Sequence, residues 1–207
     1  MSRRLFVAVD PSAEAISDLA TFVETLHVAH AGGRLAASER WHVTLAFLGD
    51  VADDRVDAVV AALTSAAEIW STGPPARRSD RRTPAPVRGK VAASMRLRIA
   101  GGGKFGGPGG AILWAGIGGE VERLRKLARA VGRELRAARF SLDRKPYRPH
   151  VTLARPGFRL ARDLIAEDVA ALVAYQGPDW PVTEFHLVHS HLGADPHHSR
   201  IATFQLS

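Results

Sequence analysis

The chain has 207 residues, enough for one sizeable core or for two compact lobes sharing an interface. Its 46% hydrophobic and 24% charged residues are those of an ordinary globular protein, its zero cysteines exclude disulfides and thiolate metal sites, and no apolar run approaches the roughly 20 residues that span a bilayer. Lysine and arginine outnumber aspartate and glutamate 28 to 21, giving +7, and only four of the 28 are lysine; such a surface suits phosphate-bearing partners, because guanidinium binds phosphate bidentately and keeps its charge, although solvated helix faces have the same composition.

The opening "MSRRLFVAVDPS" reads as a first strand over 5–9 ended by the turn-forming Asp10-Pro11. Its apolar stretch is too short for a signal-peptide core, and with no cysteines the cytoplasm is the default expectation. A helix is predicted from the N-cap Ser12 to about 27, with His27 and His30 as its exposed last turn. "RWHVTLAFLGDV" reads as a strand with a turn at Gly49-Asp50, followed by a second helix from 53 or 54 to about 70. The stretch 71–90, rich in proline and arginine, reads as an exposed loop before strands near 87–92 and 95–100. "GGGKFGGPGG" (101–110) reads as a glycine-dense hairpin connection; it lacks the Gly-Lys-Ser/Thr ending of a P-loop, and a strand follows it rather than a helix. "AILWAGI" is then a buried strand, 120–138 a long helix, "PHVTLARPG" a strand, 163–172 a short helix, and "VTEFHLVHSHL" and "RIATFQL" two closing strands. Hairpin-like pairing of strands points to antiparallel sheets, hence α+β.

The tetrapeptide HVTL occurs twice, at 42–45 and 150–153. On a strand alternate residues share a face, so His42 and Thr44 point one way while Val43 and Leu45 point the other, and His150 and Thr152 do the same opposite Val151 and Leu153. Either copy alone fits a hydrogen-bonded structural pair. Two copies in two similar halves would present two imidazoles to one cleft. Displacement at phosphorus needs a base for the nucleophile and an acid for the leaving oxygen, and histidine serves as either near neutrality. Threonine hydroxyls and a nearby arginine can hydrogen-bond the non-bridging oxygens, and no metal is required.

Two H-x-T-hydrophobic motifs with the flanks "LFVAVD", "WHVTLAFLGDV", "ILWAGI", "YRPHVTLARP" and "FHLVHSHL", in that order, resemble the 2H phosphoesterase superfamily, and within it the RNA 2′,3′-cyclic phosphodiesterases first named 2′-5′ RNA ligases. The resemblance covers essentially the whole chain. It implies one bilobal α+β domain over 1–207, in which two antiparallel sheets with outer helices are related by a pseudo-twofold and flank an active-site groove. It implies hydrolysis of a terminal 2′,3′-cyclic phosphate on RNA to a 2′-phosphomonoester by a monomer without cofactor, with reversible 2′-5′ ligation as a second activity. It maps the proton donor to His42 and the acceptor to His150, a direction the residues alone do not set, and gives Thr44 and Thr152 the phosphate. Arg155 matches a basic family position for substrate, although strict alternation puts it opposite His150 unless a bulge intervenes. Phe47 holds the equivalent place after the first motif, where it either stacks on a base or packs in the core. Tyr147 and Arg148 read as turn residues. Relatives carry an aromatic residue in the last loop; here "GADPHHSRIATF" offers His197 and His198, as replacements or as solvated side chains. His189 and His191 share a strand face, but no carboxylate is placed with them and no H-E-x-x-H helix exists, so no metal site is expected. A small cyclic nucleotide as substrate, and a non-catalytic RNA-end-binding module, are the competing readings.

Overall fold

The computed structural model describes residues 1–72, 94–106, 110–143, 145–157, 160–193 and 196–206. Most of the arginine-rich stretch, and the strand expected near 87–92, lie outside the described residues. The elements follow in the order β1 (Ser2–Val9), α1 (Ala13–Val23), α2 (His27–His30), β2 (Arg34–Leu35), β3 (Val43–Ala52), α3 (Val56–Thr72), β4 (Met95–Phe105), β5 (Ile112–Gly119), α4 (Val121–Ala137), β6 (His150–Arg155), α5 (Arg162–Ala174), β7 (Gln176–Val182), β8 (Glu184–His191) and β9 (His197–Gln205). Two sheets form, ordered β3-β1-β8-β9 and β2-β6-β5-β4-β7, with every observed pairing antiparallel.

The sheets repeat one plan. In the first, the motif strand β3 lies beside β1, with α1 between them in the chain; in the second, β6 lies beside β5, with α4 between them. Alternation buries Leu5, Val7 and Val9 of β1 and Leu113 and Ala115 of β5 in one continuous core. Helix α4 closes that core with Leu124, Leu127, Ala128, Val131 and Leu135 on one face, packs against α3 and reaches β3, while α5 covers β4 and α1 meets β7.

Local chemistry explains most boundaries and several departures from expectation. Ser12 caps α1, its Oγ accepting the Ala15 N–H at 3.1 Å. The helix stops at Val23, short of 27, and the Thr25 hydroxyl donates to the Phe22 carbonyl at 2.7 Å in the turn that follows. His27 and His30 therefore belong to a separate turn, α2. The buried Asp168 carboxylate of α5 accepts the N–H groups of His27 and Val28 at 2.7 and 3.0 Å, satisfying donors that a helix start leaves open. Strand β7 contains Pro178 and Pro181, which argue against a strand; it is an edge strand, where missing donors are tolerated. Gly101, Gly102 and Gly103 lie in β4 rather than in a turn. A Cβ at Gly103 would stand 2.8 Å from the Trp114 ring, so the glycine makes room for the indole.

Both motif strands depart from strict alternation at the same place. Against β1, Thr44 pairs with Ala8 and Ala46 with Val7, so Leu45 is an extra residue; against β5, Thr152 pairs with Trp114 and Ala154 with Leu113, so Leu153 is. A bulge after the threonine sends two successive residues to the core, Leu45 with Ala46 and Leu153 with Ala154, and turns the next onto the histidine face. That next residue is Phe47 in one copy and Arg155 in the other. The repeat extends further than HVTL, to HVTLAxxG: Gly49 and Gly157 both have positive φ, 73° and 67°. β3 runs on past Gly49 to Ala52, so Gly49-Asp50 is a kink within the strand and not its end.

Candidate active site

The two histidines are held in the same way. His42 Nδ1–H donates to the carbonyl of Arg40 and His150 Nδ1–H to the carbonyl of Arg148, each at 2.7 Å and each two residues upstream. A carbonyl can only accept, so Nδ1 carries the proton in both rings, and Nε2 remains as the neutral imidazole's acceptor. This lock is local: donor and acceptor lie two residues apart where the chain enters each motif strand.

Aromatic rings then fix the planes. Phe6 of β1 stacks on His42 at 4.5 Å with 29° between planes, and His198 meets His42 edge-on at 5.2 Å. Phe105 and Trp114, stacked on each other at 5.1 Å, meet His150 edge-on at 5.0 and 6.1 Å. The Arg148 guanidinium lies over Phe105 and Trp114 at 5.6 and 5.9 Å, which sets it beside His150.

The motif valines and leucines are buried as alternation requires, and His42, Thr44, His150 and Thr152 are each half-buried. Thr44 and His150 line one groove, of about 1040 Å³, between β3 and α4. His42 opens instead on a smaller, separate cavity of about 200 Å³ with Phe6, Asp10, Arg40, His198 and Arg200. Burial is the main influence on the pKa of His42, and charge on His150 adds a smaller lowering. Thr152 stands opposite Trp114 on the His150 side. Arg155 is exposed on that face at the end of β6, next to Arg34 of β2, and Phe47 lines the groove with 43% of its surface exposed. His197 and His198 start a strand rather than occupy a loop: His197 stacks on His191 at 4.2 Å, whereas His198 enters the His42 cavity.

Burial holds His42 below its ordinary 6.5, opposed by the Arg40 carbonyl and by Asp10, which pairs with Arg200 at 2.6 Å. His198 is pushed down to about 4, first by burial and then by the neighbouring charges of His42 and Arg40. These shifts tie stability to pH. The unfolded chain protonates such imidazoles near 6.5, the folded chain only at lower pH, so the unfolded state binds more protons between the two values. Stability is therefore lost as pH falls below about 6.5 and, for His198, on towards about 4. The melting temperature is expected to drop from pH 7 to pH 5, and by less in His198→Phe; equal drops in the two proteins would show that His198 carries none of this effect.

Sequence reasoning missed Phe6, Phe105, Trp114 and Arg148 as neighbours of the histidines. Phe6 alone carries a signal, an aromatic on the face opposite Leu5 and Val7. Among the described residues no group of three or more His, Cys, Asp or Glu is arranged to hold a metal, and no helix is long and apolar enough to cross a membrane.

Two antiparallel sheets, each carrying an H-x-T strand with its histidine in the same tautomer, match the sequence pattern of one family of phosphoesterases. The family model described as the 2′-5′ RNA ligase superfamily matches residues 9–194, and the chain belongs to that family. It is 29% identical over 151 residues to an RNA 2′,3′-cyclic phosphodiesterase of Geobacillus stearothermophilus, covering 72% of this chain and 41% of the relative. It is 29% identical over 136 residues to an RNA 2′,3′-cyclic phosphodiesterase of Aeropyrum pernix, covering 62% of this chain and 61% of that one. The matched regions thus span less than two thirds of either relative. In fold it is similar to E. coli LigT in its complex with 3′-AMP, with a TM-score of 0.70 at 20% identity over 100% of this chain and 99% of the other. The same holds for TT0787 of Thermus thermophilus, with a TM-score of 0.64 at 27% identity over 98% and 97%.

Proposed function

We propose that the chain hydrolyses 2′,3′-cyclic phosphate ends of RNA to 2′-phosphomonoesters, with His42 and His150 as its acid and base and without a metal. The observation that carries this reading is the identical Nδ1–H···O=C lock on both rings, which supports Nε2 of each as the atom that exchanges a proton. His150 Nε2 takes a proton from water as its oxygen bonds to phosphorus; the bond from phosphorus to the 3′-oxygen breaks, and protonated His42 delivers its proton to that oxygen. The 2′-ester remains. Thr44 and Thr152 hydrogen-bond the non-bridging oxygens as charge builds on them. Arg155, turned onto the histidine face by the bulge, contributes a guanidinium to the phosphate, and Phe47 offers its ring to a base. Replacing water with the 5′-hydroxyl of a second RNA gives 2′-5′ ligation by the same proton transfers. The activities of the two curated relatives support the substrate class.

The test is to incubate the protein, in EDTA, with a short RNA ending in 2′,3′-cyclic phosphate and map the product. A 2′-monophosphate is the expected result. A 3′-monophosphate would reverse the leaving group, and activity that vanishes in EDTA would overturn the metal-free mechanism.

A further inference from the structure

The large groove extends from His150 along α4, and that wall is basic. On α4, Arg125, Arg129 and Arg136 fall on one stripe beside the core-facing leucines, four and seven residues apart, and all three line the groove. The rise of an α-helix separates the first two by about 6 Å and the last two by about 10 Å along the wall. Lys145 and Arg148 continue it towards His150. Among the described residues Asp143 is the one carboxylate of the lining, and Lys145 pairs with it at 3.4 Å. Arg125 pairs with Glu122, but Arg129 and Arg136 make no ion pair among the described residues.

A terminal cyclic phosphate does not explain this wall. The groove's volume of about 1040 Å³ lies at the upper end of what encloses one drug-sized ligand, about 300–1,000 Å³, and its cations extend along the helix rather than converging on one point. A positive groove with an aromatic side chain at its edge is the arrangement by which proteins follow a single strand: cations track the phosphates and a ring takes a base. Phe47, half-exposed on the opposite wall with the Arg4 guanidinium 4.8 Å from its centroid, is that ring.

Building on the reading of the cyclic end as substrate, we infer that the α4 stripe of Arg129 and Arg136 is a track for the single-stranded RNA backbone on the 5′ side of the cyclic phosphate, so that oligonucleotides are preferred to mononucleotides. The experiment compares kcat/KM for a ten-nucleotide RNA and for a nucleoside 2′,3′-cyclic monophosphate, with fluorescence anisotropy of the labelled ten-mer measured alongside. It uses the unaltered protein, Arg129→Gln/Arg136→Gln, and Lys126→Gln, an exposed α4 residue outside the groove lining. In the double variant the oligonucleotide-to-mononucleotide ratio is expected to fall by about fivefold or more, and the salt dependence of ten-mer binding to lose roughly 0.7 in log–log slope per arginine. Lys126→Gln should match the unaltered protein. An unchanged ratio and slope in the double variant would overturn the track and leave the cyclic phosphodiesterase reading standing. Absence of turnover on either substrate, with ten-mer binding still weakened in the double variant, would support the track and overturn the hydrolase.

Discussion

His42→Ala and His150→Ala are each expected to lower turnover of a cyclic-phosphate RNA by about 10²–10⁴-fold, the scale of losing a general acid or base. Each removes one of the two rings proposed as acid and base, whose Nδ1 is already engaged by a carbonyl. The losses will not multiply in the double variant, because either deletion already leaves the displacement without one half of its proton traffic. Folding should be little affected, since both side chains are half-buried at the cleft and the neighbouring Val43 and Val151 keep their core contacts. The pH dependence adds a sign. The proposed reaction needs one imidazole protonated and the other neutral, so kcat/KM against pH is expected to be bell-shaped with limbs belonging to the pair. Burial holds His42 below 6.5, so one limb is expected to inflect below that value. A profile flat from pH 5 to 8, or either alanine variant retaining full activity, would remove the two histidines from the chemistry.

Asp168→Ala is expected to destabilise the protein by about 2–5 kcal/mol, read as a lower urea midpoint with little change in m. The carboxylate is 1% exposed and accepts two backbone N–H groups across 140 residues of sequence, those of His27 and Val28. Removing it leaves the buried Val28 donor without an acceptor and takes from the His27 N–H its charged partner, each costing about 1–3 kcal/mol. Asp168→Asn keeps one acceptor oxygen and should lose about half as much. The position matters beyond α2. From α2 the chain passes to β2, whose Arg34 and Leu35 pair with Arg155 and Ala154 just after the second motif, and then to Trp41 and His42. Asp168 thus holds α5 to the segment that touches one motif and leads into the other. A loss under about 1 kcal/mol would mean that water satisfies these donors instead.

The candidate chemistry was legible because it is local. A histidine, a threonine two positions on and apolar residues between them place imidazole and hydroxyl on one face of any strand, and doubling the pattern points to a pair. The same holds for α4, whose 3.6-residue periodicity sets its extent to within a residue at each end. Where the reading fell short, the cause lay in neighbouring strands. Strict alternation put Arg155 on the core side; the extra residue Leu153, visible only once β6 is aligned with β5, turned it round, and Leu45 did the same for Phe47. Strand β7 was hidden by its prolines, because edge position is a property of the sheet. His197 and His198 looked equivalent in the chain, yet the register of β9 against β8 pairs His197 with His191 and leaves His198 to meet His42.

By itself the sequence determined the two H-x-T strands, the amphipathic helices, the basic surface and, through motif order and flanks, the family. These depend on side-chain type and on spacings within one element. Tertiary structure alone decided which rings back each histidine, which way the residues after the bulges face, and that α4 turns its arginines towards β3. Each of these depends on how residues distant in sequence pack together, and hydrophobic burial across the whole core sets that packing.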